Sequence, residues 1–203
     1  MIALIGNQNS GKTTLFNLLT GTQQKVGNWP GVTLEKKVGT IKSTNHEIVD
    51  LPGIYSLSSY SSEEMISRDF LLNENPSLII NVLDITQLER SLYLTLRLID
   101  LKIPMIITLN MKDLADKKGI IIDLEKINAI LKYPVLERSA LKKTGVNELV
   151  DIIETAKAQT PVDIKYFSDD IETAITKISS QIDHRSNRFI ASKLLEDDNL
   201  IKE

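Results

Sequence analysis

The sequence predicts an α/β protein: a doubly wound, mainly parallel sheet with one antiparallel strand, followed by a C-terminal helical appendage. Two observations lead to this prediction. Apolar runs of strand length alternate with helically spaced apolar residues from residue 1 to residue 158. After Thr160-Pro161 only the helical spacing continues. We therefore expect an α/β domain over residues 1–160 and a helical domain over residues 161–203.

The predicted elements of the first domain follow one another closely. In chain order they are strand 1–5, helix 12–20, strands near 34–42 and 46–50, helix 63–73, strand 78–83, helix 87–101, strand 104–109, helix 123–132, strand 134–137 and helix 145–158. A turn at Ser43-Thr44-Asn45 is expected to pair the second and third strands antiparallel. The other strands are joined through helices, which is typical of parallel pairing.

The second domain is predicted from two apolar faces. Ile171, Ile175, Ile178 and Ile182 recur at helical spacing, and a further apolar group begins at Phe189. Two or more helices fit this pattern. An alternative stays open, in which these helices are only extra core of the first domain, because two helices cannot bury their own apolar stripes alone.

Composition excludes several classes of protein. Hydrophobic residues make up 42% of the chain, which is enough for a core and argues against disorder. No apolar run approaches the roughly 18 residues that span a bilayer, so we expect a soluble fragment. The formal charge of −3 falls on residues 162–203. Because no basic face is evident, we expect no nucleic-acid partner.

The first strand leads into a phosphate-binding motif. Gly6-Asn7-Gln8-Asn9-Ser10-Gly11-Lys12-Thr13 fits G-x-x-x-x-G-K-[ST], between an apolar run and a helical pattern. Backbone N–H groups of such a loop point at phosphate oxygens. The Lys12 ammonium is expected at the β- and γ-phosphates, and the Thr13 hydroxyl on Mg²⁺. The residues that we assign to nucleotide binding here are Gly6, Asn7, Gln8, Asn9, Ser10, Gly11, Lys12, Thr13 and Thr14.

A second motif indicates guanine. Asn110-Met111-Lys112-Asp113 follows the strand 104–109 and looks like the N-K-x-D motif, with Met111 in the usual lysine position. The Asp113 carboxylate can accept from the ring N–H and the exocyclic amine of guanine together, a donor pair that adenine lacks. Taken alone, these residues would also serve as a helix N-cap. The preceding phosphate motif favours the nucleotide interpretation.

Three shorter signals complete the predicted GTP site. Asp50-Leu51-Pro52-Gly53 fits D-x-x-G, with Asp50 reaching Mg²⁺ through water and the Gly53 amide at the γ-phosphate. Ser139-Ala140, with Leu141 beside it, fits the short motif behind the guanine ring. Thr33 is the candidate switch threonine, which ligates Mg²⁺ when the switch closes. Together, the motifs predict a P-loop GTPase that converts GTP to GDP and phosphate.

The motifs resemble one family, the bacterial ferrous iron transport protein B, and specifically its N-terminal cytosolic G domain. The matching stretches are Gly6-Asn7-Gln8-Asn9-Ser10-Gly11-Lys12-Thr13-Thr14-Leu15-Phe16-Asn17, Val26-Gly27-Asn28-Trp29-Pro30-Gly31-Val32-Thr33, Asp50-Leu51-Pro52-Gly53-Ile54-Tyr55-Ser56-Leu57 and Leu109-Asn110-Met111. The second stretch is much more specific than a P-loop. Gln8 departs from the pattern, since it stands where the family commonly has proline.

The resemblance implies a GTP-binding and GTP-hydrolysing regulatory domain of a ferrous iron transporter, at the cytoplasmic face of the bacterial cell membrane. Its partner would be a membrane permease domain of the same protein, absent from this chain. The helical domain would be of the guanine-nucleotide-dissociation-inhibitor type. It is shorter than usual and so is expected to be incomplete. The sequence leaves homo-oligomerisation open.

The resemblance also suggests K⁺ activation. Ile54 occupies the position of the water-orienting glutamine of Ras-type enzymes, at a switch that we expect to be exposed. Asn9 matches the P-loop asparagine that ligates a monovalent cation in cation-activated GTPases, and backbone carbonyls around Gly27, Asn28 and Trp29 would complete the shell. Asn9 also fits simple loop geometry, and Trp29 a packing role.

The residues to which we assign catalysis are Asn9, Lys12, Thr33 and Gly53. Two other functions stay open at this point. The first is a free-standing cation-activated GTPase in ribosome assembly or tRNA modification, which shares the P-loop asparagine and the missing glutamine. The second is a nucleotide-gated interaction module without useful catalysis.

Overall fold

A computed structural model describes residues 1–22, 24–42, 44–139, 144–198 and 201. Within them, seven strands form one sheet. They are β1 (Ile2–Gly6), β2 (Gln24–Asn28), β3 (Glu35–Thr40), β4 (Glu47–Asp50), β5 (Leu78–Asp84), β6 (Met105–Asn110) and β7 (Val135–Glu137). Their spatial order is β2-β3-β4-β1-β5-β6-β7.

One strand of this sheet, β3, is antiparallel to the others. β1 pairs parallel with β4 and β5, and β6 pairs parallel with β5 and β7. β3 pairs antiparallel with both of its neighbours, β2 and β4. This confirms the predicted mainly parallel sheet with one antiparallel strand. In the predicted turn between β3 and β4, Ser43 lies outside the described residues, and the Thr44 N–H donates to the Ile41 carbonyl (3.1 Å).

The edge strand β2 was not predicted as a strand. Its sequence, Gln-Lys-Val-Gly-Asn, contains a single large apolar side chain, and that residue, Val26, is 60% exposed. The strand packs no face against a core, so the period-two alternation that reveals half-buried strands is missing. Pairing of the whole strand with β3 holds it in place, from Gln24 opposite Gly39 to Asn28 opposite Glu35.

The helices agree with the predicted ones in most positions. They are α1 (Lys12–Thr20), α2 (Ser62–Asn73), α3 (Leu88–Ile99), α4 (Lys112–Lys117), α5 (Leu124–Leu131), α6 (Val146–Asp151), α7 (Ile153–Lys157), α8 (Asp169–Ser179) and α9 (Asn187–Leu195), with a 3₁₀ turn at Ile85–Gln87. The predicted helix 145–158 is two helices that meet at Ile152. The short helix α4, just after the guanine motif, was not predicted. Within the described part of the chain, no helix is long and apolar enough to cross a membrane.

Two apolar clusters cover the two faces of the sheet. Successive residues of β1 alternate between them: Ala3 and Ile5 belong to the first, and Ile2 and Leu4 to the second. The second cluster includes α1, α6 and α7, which places helices on both faces of the sheet as predicted. Phe189 of α9 is fully buried in the first cluster. The helical segment therefore shares a core with the sheet, while the division into two domains stays a prediction.

Candidate nucleotide-binding site

The loop after β1 forms one wall of a cavity of about 590 Å³. This cavity lies at the carboxyl ends of the parallel strands, where ligands bind in sheets of this kind. Residues from three of the predicted motifs line it: Asn7, Gln8, Asn9, Gly11, Lys12, Thr13, Thr14, Gly53 and Met111. The fold therefore brings together the P-loop, the D-x-x-G glycine and one residue of the guanine motif.

The backbone of the loop has the strained turns that a phosphate cradle needs. Gly11 has φ 84° and directly precedes α1, a conformation that costs a residue with a Cβ more than glycine. Asn9 also has a positive φ, 62°. This geometry agrees with the loop-geometry interpretation of Asn9 and leaves its exposed side chain free for a second role.

The P-loop lysine and the D-x-x-G aspartate form a buried ion pair. Lys12 Nζ contacts Asp50 Oδ1, and the Thr13 hydroxyl donates to Asp50 Oδ2 (3.2 Å). Burial lowers the pKa of Lys12, and the Asp50 carboxylate offsets part of that effect. A hydroxyl and a carboxylate at this distance are the hard oxygen donors that Mg²⁺ prefers, so these side chains fit the predicted metal.

The glycine of D-x-x-G lies directly against the P-loop. A Cβ at Gly53 would be 3.1 Å from the Cα and from the Cγ of Gln8, so only glycine allows this approach without a shift. The Ile54 N–H donates to the Gly6 carbonyl (3.1 Å), which fixes the two segments together. Ile54 itself is only 2% exposed and belongs to the first apolar cluster. The expectation of an exposed isoleucine at this position was therefore wrong.

The guanine motif is tied to the phosphate loop. Asn110 ends β6, and its Nδ2 donates to the Ser10 carbonyl (2.7 Å). Ser139 Oγ donates to Asp113 Oδ1 (2.6 Å), so the serine of the short motif orients the carboxylate that we assign to guanine. Met111 lies in the left-handed region with φ 65° and lines the cavity. Ala140 and Leu141, predicted for the same loop, lie outside the described residues.

The predicted switch segment is placed elsewhere. Among the described residues that line the cavity, there is no contribution from Thr33, Gly27 or Trp29. Thr33 and Gly27 are exposed, with Gly27 in β2. The Trp29 ring is buried and meets Phe70 edge-on, with ring centroids 5.7 Å apart, and its carbonyl accepts from the Val32 N–H (3.3 Å). Trp29 thus has the packing role that the sequence left open, and the metal roles of these residues stay predictions.

One buried residue beside the site escaped the sequence analysis. Arg138 follows β7 and is 1% exposed, and none of its guanidinium nitrogens has a hydrogen-bond partner in the described structure. Burial lowers its pKa to about 10. Its backbone bridges two elements, because its N–H donates to the Leu109 carbonyl (2.9 Å) and its carbonyl accepts from the Lys112 N–H (3.3 Å). No local sequence signal indicates its burial, because Arg138 follows a strand of three residues that are all half-buried.

A family model described as "Ferrous iron transport protein B" matches residues 1–153. The chain belongs to this family. The Fe(2+) transporter FeoB of Escherichia coli (strain K12) is 41% identical over 207 residues, which cover 97% of this chain. The match covers 27% of that transporter, so the chain spans about a quarter of the length of the curated relatives that it matches. Family membership favours the transporter interpretation over a free-standing GTPase.

Solved structures of FeoB domains have the same fold. The NFeoB of S. thermophilus bound to GDP.AlF4- and K+ is 48% identical, with a TM-score of 0.88, and the match covers 99% of this chain and 81% of that one. The cytosolic domain of L. pneumophila FeoB is 39% identical, with a TM-score of 0.90 and coverage of 98% and 82%. At these identities the likeness supports the P-loop GTPase fold throughout the described chain.

Proposed function

We propose that this chain is the GTP-binding and GTP-hydrolysing regulatory domain of a ferrous iron transporter. One observation carries the proposal: the guanine motif and the phosphate loop form a connected site. Asn110 donates a hydrogen bond to the Ser10 carbonyl, and Ser139 donates one to the Asp113 carboxylate. A carboxylate fixed in this way selects a base with two adjacent donors, which guanine has and adenine lacks.

The phosphate end of the site fits a nucleoside triphosphate. The Lys12 ammonium lies at the cavity, where phosphate oxygens compete with the Asp50 carboxylate for its charge. N–H groups at the start of α1 add positive potential. Gly53 lines the same cavity and lies against Gln8, and we place the γ-phosphate at its amide.

Two metal ions belong to the proposal. Thr13, Thr33 and, through water, Asp50 are the groups that we assign to Mg²⁺, which supplies positive charge to the β- and γ-phosphates. Asn9 and the carbonyls of Gly27 and Trp29 are assigned to K⁺. Support for K⁺ comes from the S. thermophilus relative, whose structure is described as bound to GDP.AlF4- and K+.

The transport role rests on the relatives. They are named Fe(2+) transporters and are about four times as long as the matched region. We infer that a membrane permease domain of the same protein is the partner of this domain. The domain would then act at the cytoplasmic face of a bacterial cell membrane.

The proposal is tested by Asp113→Asn. The substitution turns one acceptor of the carboxylate into a donor, so affinity for GTP should fall and preference should shift towards xanthine nucleotides. Titrations of the native protein and the variant with labelled GTP, XTP and ATP measure this shift. A native protein that binds ATP as tightly as GTP contradicts the assignment.

A further inference from the structure

The catalytic site of this chain lacks a water-orienting side chain at the usual place. In Ras-type GTPases a glutamine just after the D-x-x-G glycine orients the attacking water. Here that residue is Ile54, which is buried in the apolar cluster and tied to the P-loop through its backbone N–H. Its side chain has no polar atom and does not reach the cavity.

Gln8 lies beside the same glycine. The Cα and Cγ of Gln8 are each 3.1 Å from the point that a Cβ on Gly53 would occupy. The Gln8 side chain therefore runs along Gly53, whose amide we place at the γ-phosphate. Gln8 thus lies, on the P-loop, beside the glycine that the usual glutamine follows in the D-x-x-G segment.

The amide of Gln8 is available for this role. Gln8 is exposed and lines the cavity, and within the described residues its side chain makes no hydrogen bond. The other amides of the loop are less suited. Both polar side-chain atoms of Asn7 are buried, and Asn9 is the residue that we assign to K⁺.

We propose that Gln8 is a catalytic residue that orients the attacking water, a conclusion that rests on the proposed GTPase function. Its side-chain carbonyl accepts a hydrogen bond from the water, and its amide donates to a γ-phosphate oxygen. The water oxygen bonds to the γ-phosphorus as the bond from phosphorus to the β–γ bridging oxygen breaks. The electron pair stays on GDP, the water gives its proton to the phosphate, and Gln8 is unchanged.

The decisive variant is Gln8→Met, which keeps the length and shape of the side chain and removes both polar atoms. GTP turnover in KCl with Mg²⁺ should fall at least about tenfold, because the lost interaction is made only in the transition state. The affinity for GDP alone should not change, because the nucleotide-binding contribution that we assign to Gln8 is its backbone N–H, which the variant keeps. The matched control is Gln181→Met on the exposed surface after α8, which should turn over like the native protein.

A second readout separates catalysis from structure. GDP binding in the presence of aluminium fluoride mimics the transition state, so Gln8→Met should weaken it by a factor similar to the loss of turnover. The ratio of rates in KCl and NaCl should stay as in the native protein, because Gln8 does not hold the cation. Asn9→Ala should instead change that ratio.

The possible outcomes distinguish the role of Gln8 from the proposed GTPase function. If Gln8→Met turns over GTP as fast as the native protein, the role of Gln8 is overturned and the proposed GTPase function is unaffected. A lower rate with equally weakened binding of GDP alone also overturns it, because that result indicates loss of loop structure. A native protein without GTP turnover overturns the proposed function, and the role of Gln8 with it.

Discussion

At the scale of single residues, Asn9 combines a positive φ with a predicted role in binding a monovalent cation. Its φ of 62° holds the side chain, which is exposed, at the edge of the phosphate cavity. Ile54 is buried and apolar, and within the described residues no arginine lines the cavity. We therefore expect a monovalent cation, beside Lys12 and Mg²⁺, to supply the transition-state charge that an arginine supplies in other GTPases.

The K⁺ prediction follows from this arrangement. GTP turnover should be faster in KCl than in NaCl at equal ionic strength, since K⁺ gives up its water more readily to a shell of carbonyls and one amide. Asn9→Ala should remove the difference, with a loss on the order of 3 kcal/mol in transition-state stabilisation. Turnover of both proteins in the two salts measures it. Equal native rates, or full K⁺ activation in the variant, contradict the role of Asn9.

For Arg138 we predict that a substitution increases the stability of the protein. Within the described residues no group accepts a hydrogen bond from the buried Arg138 guanidinium, so its burial removes hydration without replacing it. Arg138→Met should therefore raise the free energy of unfolding by about 1–3 kcal/mol, measured by urea titration. The control is Arg68→Met, because Arg68 is as deeply buried but pairs with Asp198 at 3.0 Å, and its loss should destabilise. A destabilised Arg138→Met contradicts the argument.

These residues also show what a sequence reveals about a site. The P-loop, Asp50 and Asn110 were predicted as nucleotide-site residues because each motif needs a short, ordered run of residue types at a strand end. The hydrogen bonds from Asn110 to Ser10 and from Ser139 to Asp113 join residues 100 and 26 positions apart, and no local pattern encodes them. The burial of Arg138 was missed for the same reason, since it depends on what packs over the strand.

At the scale of elements, the predictions were accurate where one face of an element is apolar. Helix α1 spans Lys12–Thr20 as predicted, because Leu15, Phe16 and Leu19 are all buried on one side. Strand β2 was missed because its stability comes from backbone pairing at the edge of the sheet, which leaves no apolar pattern.

The segment after β2 should move when the γ-phosphate is bound. Thr33 is exposed, and it must approach Thr13 and Asp50 to ligate Mg²⁺. Trp29, the only tryptophan of the chain, anchors that segment against Phe70. A non-hydrolysable GTP analogue with Mg²⁺ and K⁺ should therefore expose Trp29 and shift its fluorescence emission to longer wavelength, whereas GDP should not.

Thr33→Ala is the control for this movement. The variant should still bind the analogue, because the P-loop holds the phosphates, but its Trp29 emission should stay at the position seen with GDP, and its turnover should fall. If native Trp29 emission is the same with GDP and with the analogue, the segment does not close in the proposed way. Loss of all nucleotide affinity in Thr33→Ala contradicts the switch role as well.

At the scale of the whole molecule, a buried ion network joins the helical segment to the α/β part. Arg188 of α9 donates from Nε to Asp100 at the end of α3 (2.7 Å) and from NH1 to Glu172 of α8 (2.7 Å). Glu172 also accepts from the backbone N–H groups of Tyr166 and Phe167 (3.1 Å each). The contact with Asp100 joins the two parts, whereas the contacts of Glu172 lie within the helical segment. Glu172 also fixes the arginine that makes the joining contact, so the stability of the helical segment should depend on the charge of Glu172.

That dependence predicts how stability changes with pH. The hydrogen bonds from Arg188 lower the pKa of the Glu172 carboxyl from its ordinary 4.5 to about 2. Because the folded-state value is the lower one, the stabilisation is complete above pH 4.5 and is lost as the pH falls towards 2. The native protein should exceed Glu172→Gln in free energy of unfolding by up to about 3 kcal/mol at pH 7, and this difference should shrink between pH 4.5 and 2. Asp100, whose pKa burial raises, is present in both proteins, so most of its contribution cancels. Urea titrations of the two proteins across this range measure the difference, and a gap that stays constant with pH contradicts the stabilising role of a charged Glu172.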